Sequence, residues 1–465
     1  MSRTVVEPTT SFDGQAALRP SRRQWLFLTG GVTATPAVFT LAACGAGSQQ
    51  APAAASKAPV TIRWSTWGGA NHPMVQAASQ GLALFKQQQP HVTVEAEPQE
   101  TGFADRNLAQ WLAGTGPDIS GGSNEIPMNW SRRGLLLKLD PLVKRDFTAA
   151  QLQEYVDTQY KFFSTREHGQ HALPMYLGTM AMAYNKDLFR RTGLAFPDDT
   201  WDWPKWVEGM RKLTDASQDQ FGGQLNTNIP RLQERIIQNG GWVVDPNNDL
   251  TCLLDQPPAI EALQWVYDRT WRDNVSAQPA QKQGKNLVNL GKIGMWDLGS
   301  WQLAAIVKDV GTQFQWDVTV YTKGKQRDTV ATTDGWTVWN GTKAQDACWL
   351  LMRFLQTDAW IEIFSRITAT QPARRSMADR WIKIMKESVP GLADKNLAAY
   401  NDGISKGYAR PNAVFRFDTE VRPQLQDAIT KTMDRNEAPL ATTIRSTVAT
   451  VNATLKQLAS QQPGG

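Results

Sequence analysis

Val60-Thr61-Ile62-Arg63-Trp64 alternates in character and runs into Trp67-Gly68-Gly69, and His91-Val92-Thr93-Val94-Glu95 repeats the alternation after a spacer. Period two is the mark of a strand with one buried face. Between the two, Val75, Ala78, Leu82 and Phe85 recur at helical spacing, and Gln87–Pro90 closes that helix. Strand, helix, strand within about forty residues is a βαβ unit, which argues for a parallel sheet in an α/β fold. Working outward, Gly116-Pro117-Asp118-Ile119-Ser120 reads as a further short strand opening into a Gly-rich loop.

Downstream of His171-Ala172-Leu173-Pro174-Met175-Tyr176 the helix signals are strong. Thr200-Trp201-Asp202-Trp203-Pro204 starts a helix through Leu213, with Thr200 or Asp202 as cap and Pro204 in the first turn. Gln256-Pro257 starts another, with Ile260, Leu263, Val266 and Trp271 along one face. Thr342-Lys343-Ala344-Gln345 fits a capping box ahead of a helix whose apolar face includes Ala347, Cys348, Leu351 and Phe354. About 400 residues follow Val60, too many for one ordinary core, so two lobes are expected.

The start of the chain reads as an export signal. Ser21-Arg22-Arg23-Gln24-Trp25 precedes an apolar stretch ending in Leu41-Ala42-Ala43-Cys44. Gly30, Gly31 and Pro36 make that stretch a poor membrane anchor. The paired arginines resemble a twin-arginine signal; a general secretory signal that holds two arginines is the other reading. Leu41–Cys44 resembles a lipobox, in which Cys44 takes the lipid and becomes the mature N-terminus. Several acyl chains on one residue give stable anchoring where one would be marginal. Residues 44–59, rich in Ala, Gly, Gln, Ser and Pro, read as a tether.

Charge and motif composition exclude several functions. Without residues 1–43 the 49 basic and 44 acidic residues become 45 and 42, since Arg3, Arg19, Arg22, Arg23, Glu7 and Asp13 are left out. That balance has no basic footprint for nucleic acid. Gly121-Gly122-Ser123-Asn124-Glu125 fails as a nucleophile elbow because its last residue is Glu. Gly114-Thr115-Gly116 lacks the third glycine of a dinucleotide loop, Ile119 standing there. His168 and His171 have no evident third ligand, so neither metal nor cofactor is expected. Cys252 and Cys348 read as buried thiols, though a disulfide is chemically open outside the cytoplasm.

Tryptophan is the outlier, 19 residues against 8 Tyr. Trp206, Trp265, Trp349 and Trp360 lie in helical patterns and read as core. Trp67, Trp242, Trp301 and Trp336 sit in Gly-rich turns at strand ends. A flat aromatic surface in a loop suits the apolar face of a pyranose, with polar side chains taking the hydroxyl rim.

Several segments, taken in order, resemble the extracellular solute-binding protein family 1, in the oligosaccharide-binding branch that includes maltose-binding proteins. They are Ala113-Gly114-Thr115-Gly116-Pro117-Asp118-Ile119, Leu173-Pro174-Met175-Tyr176 with Tyr184-Asn185-Lys186-Asp187-Leu188-Phe189, Thr200-Trp201-Asp202, Gly291–Met295 ending at Trp301, Asp334-Gly335-Trp336, and Gln371–Ser376. The resemblance implies a two-lobed periplasmic-binding-protein-like fold of type II. Each lobe is then a mostly parallel sheet flanked by helices, the first spanning 60–176 and 322–356 and the second 177–321 and 357–465. Hinge strands join the lobes, which close on the ligand without chemistry. It implies ligand contacts at Trp67, Glu125, the first crossing (Tyr176, Gly178, Thr179), Trp301 with Asp297 and Ser300, the second crossing (Gly335, Trp336), and Arg374. Trp242 joins them as a loop tryptophan outside the aligned segments. The loop Ser120–Asn124 departs from the aromatic-bearing loop of maltose binders, so the exact ligand does not carry over. The role implied is an exported, lipid-anchored, monomeric capture subunit that hands a carbohydrate to the membrane permease subunits of an ABC importer. A glycerophosphodiester or polyamine ligand, or an exported glycosidase with two spaced carboxylates, are the competing readings.

Overall fold

The computed structural model describes residues 58–461 apart from 70, 101, 124 and 166. The expected signal peptide, Cys44 and nearly all of the tether lie outside the described residues. Among the described residues, no helix is long and apolar enough to cross a membrane.

The opening βαβ unit forms as its pattern predicts: β1 (Val60–Trp67), α1 (Pro73–Gln88) and β2 (Val92–Gln99), the strands paired in parallel from Val60↔Val92 to Trp67↔Gln99. After α2 (Phe103–Leu112), strand β3 (Ile119–Ser123) adds to the other edge of β1, again in parallel. Here the structure departs from the sequence reading, because Gly121 and Gly122 are strand and not loop. Helix α3 (Glu125–Arg132) folds directly over them, and a Cβ on Gly122 would meet Ile126 Cγ2 at 2.8 Å. The glycines serve close approach.

The second half of the sheet has its own parallel pair, β5 (Phe221–Gln224) with β6 (Ile293–Gly299). Two long strands run between the halves. They are β4 (Leu173–Asn185) and β8 (Thr329–Val338), antiparallel to each other, with Gly178 opposite Thr332 and Tyr176 opposite Asp334. β8 also pairs with β3, and the far part of β4 pairs with β6 and β7 (Trp316–Thr319). The order is β2-β1-β3-β8-β4-β6-β5, and β9 (Ala409–Arg410) joins β8 to complete nine strands.

Separate cores flank the two halves. One gathers Ile62, Trp64, Phe85, Trp336 and Trp349; two others, around Met182–Leu455 and Ala181–Tyr400, line the far half. Helix α4 (Trp203–Leu213) is capped by Asp202, which accepts from Lys205 N, with Pro204 in its first turn. α5 (Ile229–Gln238) follows, and α6 (Pro257–Tyr267) starts after Gln256. The capping box expected at Thr342 does not form. Helix α7 (Gln345–Phe354) starts from Ala344, and the Thr342 hydroxyl accepts from Ala344 N while donating to Asp118. Competition from the half-buried Asp118 carboxylate draws the hydroxyl away from the helix. Trp360, Ile361 and Phe364 of α8 (Asp358–Thr368) pack into the first core, so chain beyond residue 356 contributes to both halves. α9 (Asp418–Ile429) and α10 (Leu440–Ser460) close the second half. Cys252 and Cys348 are buried free thiols in different cores.

Candidate functional site

Side chains on a strand alternate faces, so Tyr176, Gly178 and Met180 of β4 share one face with their cross-strand partners Thr332 and Asp334 of β8. On that face lies Trp301, in the short turn Ser300–Gln302 after β6. Its indole rests on the strand: a Cβ at Gly178 would come 2.7 Å from Trp301 Cε3 and 2.6 Å from Thr332 Cγ2. Any residue but glycine there would lift the ring. The Arg231 guanidinium of α5 stands 5.5 Å from the ring centroid. A cavity of about 410 Å³ opens beside the half-buried indole, lined among others by Asn226, Asn228, Arg231, Asp297 and Gln302.

Beneath this pocket lies a buried charge network. Arg235 bonds Asp297 at 2.7 Å and stacks on Trp206 and Tyr321. Glu234 accepts from Val330 N and sits 3.5 Å from Arg231. Burial pushes the Glu234 carboxyl up while the neighbouring arginines pull it down, leaving it raised. Asp297 therefore borders the cavity as an anchored group, its second oxygen 3.5 Å from Asn226 Nδ2. Ser300 is buried with its hydroxyl unpartnered.

On the other side, Glu125 opens α3 two residues after Ser123, which pairs with Asp334. Burial raises the Glu125 carboxyl, and Asp418 adds to the rise while Arg422 of α9 opposes it. Asp334 is pushed up to about 7, by burial first and by Glu125, against a hydrogen bond from Tyr176. It is 6% exposed, and its Oδ1 has no partner. Asn412 donates to Thr332 Oγ1 and leaves its own Oδ1 buried and unpartnered. The Asp334 and Asn412 oxygens keep capacity to accept hydrogen bonds beside β8.

The predicted residues thus divide. Glu125, Tyr176, Gly178, Asp297, Ser300 and Trp301 converge around the β4–β8 face. Trp67 ends β1, where it pairs with Gln99 of β2. Five others go elsewhere. Trp336 is fully buried, edge-on to Trp64 at 5.2 Å and to Trp360 at 6.4 Å. It shares the parity of Asp334 on β8, in unbroken register along β3 (Asp334 opposite Ser123, Trp336 opposite Gly121), but lies further along the strand, where Trp64 and Trp360 enclose it. A Cβ on Gly335 would meet Phe163 and Ala172, so that position packs against the 163–172 segment. Thr179, on the opposite parity from Gly178, lies 2.8 Å from Gln371 Oε1 and 2.7 Å from the Tyr400 carbonyl. Arg374 binds Asp358 and the Gln356 carbonyl beside a separate cavity of about 220 Å³. Trp242 borders a third cavity, of about 600 Å³, under the Arg410 guanidinium. Sequence reading missed Asp334, Arg231, Asn226 and Asn412. Only Asp334 carried a signal, standing next to Gly335 in a segment already singled out.

Residues 70–362 match the model of the bacterial extracellular solute-binding protein family. The chain belongs to this family. A binding protein of Brucella abortus (strain 2308) is 23% identical over 305 residues, 63% of this chain and 72% of that protein. An ABC substrate-binding protein from Listeria monocytogenes, solved in complex with cycloalternan, superposes with a TM-score of 0.74 at 19% identity, covering 86% of this chain and 99% of that one. A cyclic alpha-maltosyl-1,6-maltose binding protein from Arthrobacter globiformis gives 0.72 at 20% identity, over 86% and 100% of the two chains. The sugar-binding protein MalE from Xanthomonas citri gives 0.70 at 17%, over 87% and 100%. The solute-binding fold expected from the resemblance is the fold observed. These relatives are binding proteins, and the family is extracellular.

Proposed function

We propose that this solute-binding protein captures a carbohydrate between two lobes that close about β4 and β8, and delivers it to the membrane permease subunits of an ABC importer. The observation that carries the reading is Trp301: a half-buried indole seated on Gly178, with unpartnered Asp334 Oδ1, Asn412 Oδ1 and Ser300 Oγ around the same strand pair. An aromatic platform ringed by acceptors fits a pyranose and its hydroxyls. The names of the similar structures, binders of cycloalternan, a cyclic maltosyl-maltose and sugar, support the class. The lobes are read as 60–176 with 322–356, and 177–321 with 357–465, except that helix α8, whose Trp360, Ile361 and Phe364 pack in the first core, is assigned to the first lobe. Glu125, Tyr176, Asp297 and Trp301 are the contacts proposed from the sequence set, with Trp67 kept among them from the resemblance. Asp334, Asn226 and Arg231 join them. Anchoring through Cys44 to the outer face of the cell membrane, or its periplasmic side, completes the reading.

A thermal-shift screen against mono- and oligosaccharides tests it, since a ligand bound only by the native state raises the melting point. Stabilisation by at least one sugar at concentrations above its Kd is the expected result. A flat response across neutral and charged sugars alike would reject carbohydrate capture.

A further inference from the structure

Charge in the cleft does not balance. Arg235 is spent on Asp297, and Arg231 faces Glu234. Arg422 is held by Asp418 at 2.5 Å and by the Ala413 carbonyl at 2.6 Å. Among the described residues, neither Glu125 nor Asp334 has a salt-bridge partner, and the β3–β8 register brings their backbones close. The groups that face them are the Tyr176 hydroxyl on Asp334, and Asp418 with its bound Arg422 opposite Glu125. Asp334 Oδ1, on a residue 6% exposed, has nothing to accept from.

We propose that these two carboxylates receive a protonated amine, so that the ligand of the cleft is an amino-bearing sugar. The proposal rests on the carbohydrate reading above and narrows it. Closing the lobes over a neutral sugar takes the pair further from water, so that a carboxyl must either take up a proton or stay uncompensated at a cost that hydroxyl donors only partly offset. An ammonium group cancels that charge and supplies donors to Asp334 Oδ1 and Glu125 together. A phosphate or uronate would add a third negative charge to the pair, and is disfavoured. The raised Asp334 carboxyl adds a linkage: the amine binds the ionised form, so affinity climbs as pH rises toward about 7.

The test is calorimetric titration of the mature protein with matched probes: glucosamine and glucose, galactosamine and galactose, deacetylated and N-acetylated chitobiose, and spermidine as an amine without a sugar. In at least one pair the amine is expected to bind about tenfold tighter than its neutral counterpart, by about 1.4 kcal/mol. Its affinity is expected to rise about tenfold from about pH 5.5 to about pH 7. Asp334→Asn, shown to be folded by its melting curve, is expected to bring the two members of that pair to equal affinity. Neutral sugars binding as tightly as amines would overturn the amine proposal and leave carbohydrate capture standing. Binding of spermidine with no binding of any sugar would overturn the carbohydrate reading and keep the carboxylates as an amine site. Silence from every probe overturns the proposal as stated.

Discussion

Trp301 and Trp336 look alike in sequence, each a tryptophan after a glycine-bearing turn, yet one is a half-buried platform and the other a core residue. Replacing Trp301 by Ala removes the platform and is expected to weaken sugar binding by about 1–3 kcal/mol, roughly ten- to a hundredfold. Trp336→Ala instead opens a cavity between Trp64 and Trp360 and is expected to cost about 3–5 kcal/mol of stability. Titration separates the first from the second, and the apo melting point the second from the first. Asp334 gives a prediction in pH. Its folded-state value lies above the ordinary carboxylate range, so its contribution to stability is intact below about pH 4 and lost as pH rises through about 7. Asp334→Asn is therefore expected to raise the apo melting point near pH 8 and to change it little near pH 4; an equal shift at both would contradict an ionisation cost.

Among elements, α3 links the two halves of the fold. Glu125 at its start borders the β4–β8 face, while Arg132 at its end donates to the Phe415 carbonyl at 3.0 Å and to the Arg416 carbonyl. Arg132 also pairs with Asp249 at 3.3 Å, and Arg416 with Asp249 at 3.1 Å. Both carbonyls belong to the loop leading into α9. Arg132→Ala leaves them without this donor and is expected to loosen residues 413–419, at a cost of about 1–3 kcal/mol. Hydrogen exchange reads this directly: amides in 413–419 are expected to exchange faster, with α1 unchanged. Faster exchange throughout the protein would mean global destabilisation. The helices themselves were readable in advance from Asp202, Pro204 and Gln256-Pro257, because caps and prolines act within one turn. Thr342 was not, because its hydroxyl is taken by Asp118, 224 residues away in the chain.

For the whole molecule, closure about two crossing strands predicts compaction without change of secondary structure. Small-angle scattering with a saturating sugar is expected to show a smaller radius of gyration at an unchanged far-ultraviolet circular dichroism spectrum. An unchanged radius would point to a rigid site. Export and anchoring are tested apart from binding. Cys44→Ser is expected to release the protein from the membrane fraction with its sugar affinity in solution unaltered. Arg22→Lys with Arg23→Lys is expected to block export if the twin-arginine route is used. Normal delivery of that double variant would assign the general secretory route.

The sequence by itself determined the parts whose information is local or ordered along the chain. These are the alternation of β1 and β2 around an amphipathic α1, the capped helices, and the succession of segments that marks the family. Tertiary structure alone decided which side chains meet. Parity along β4 sends Gly178 to the cleft and Thr179 to Gln371, one residue apart. Asp334 and Trp336 share one parity on β8, and what covers each decides its part: Tyr176 bonds the first, Trp64 and Trp360 enclose the second, while Arg235 claims Asp297 from 62 residues away. A slip of one residue on a strand exchanges its faces, and no local pattern records which face a distant lobe will cover.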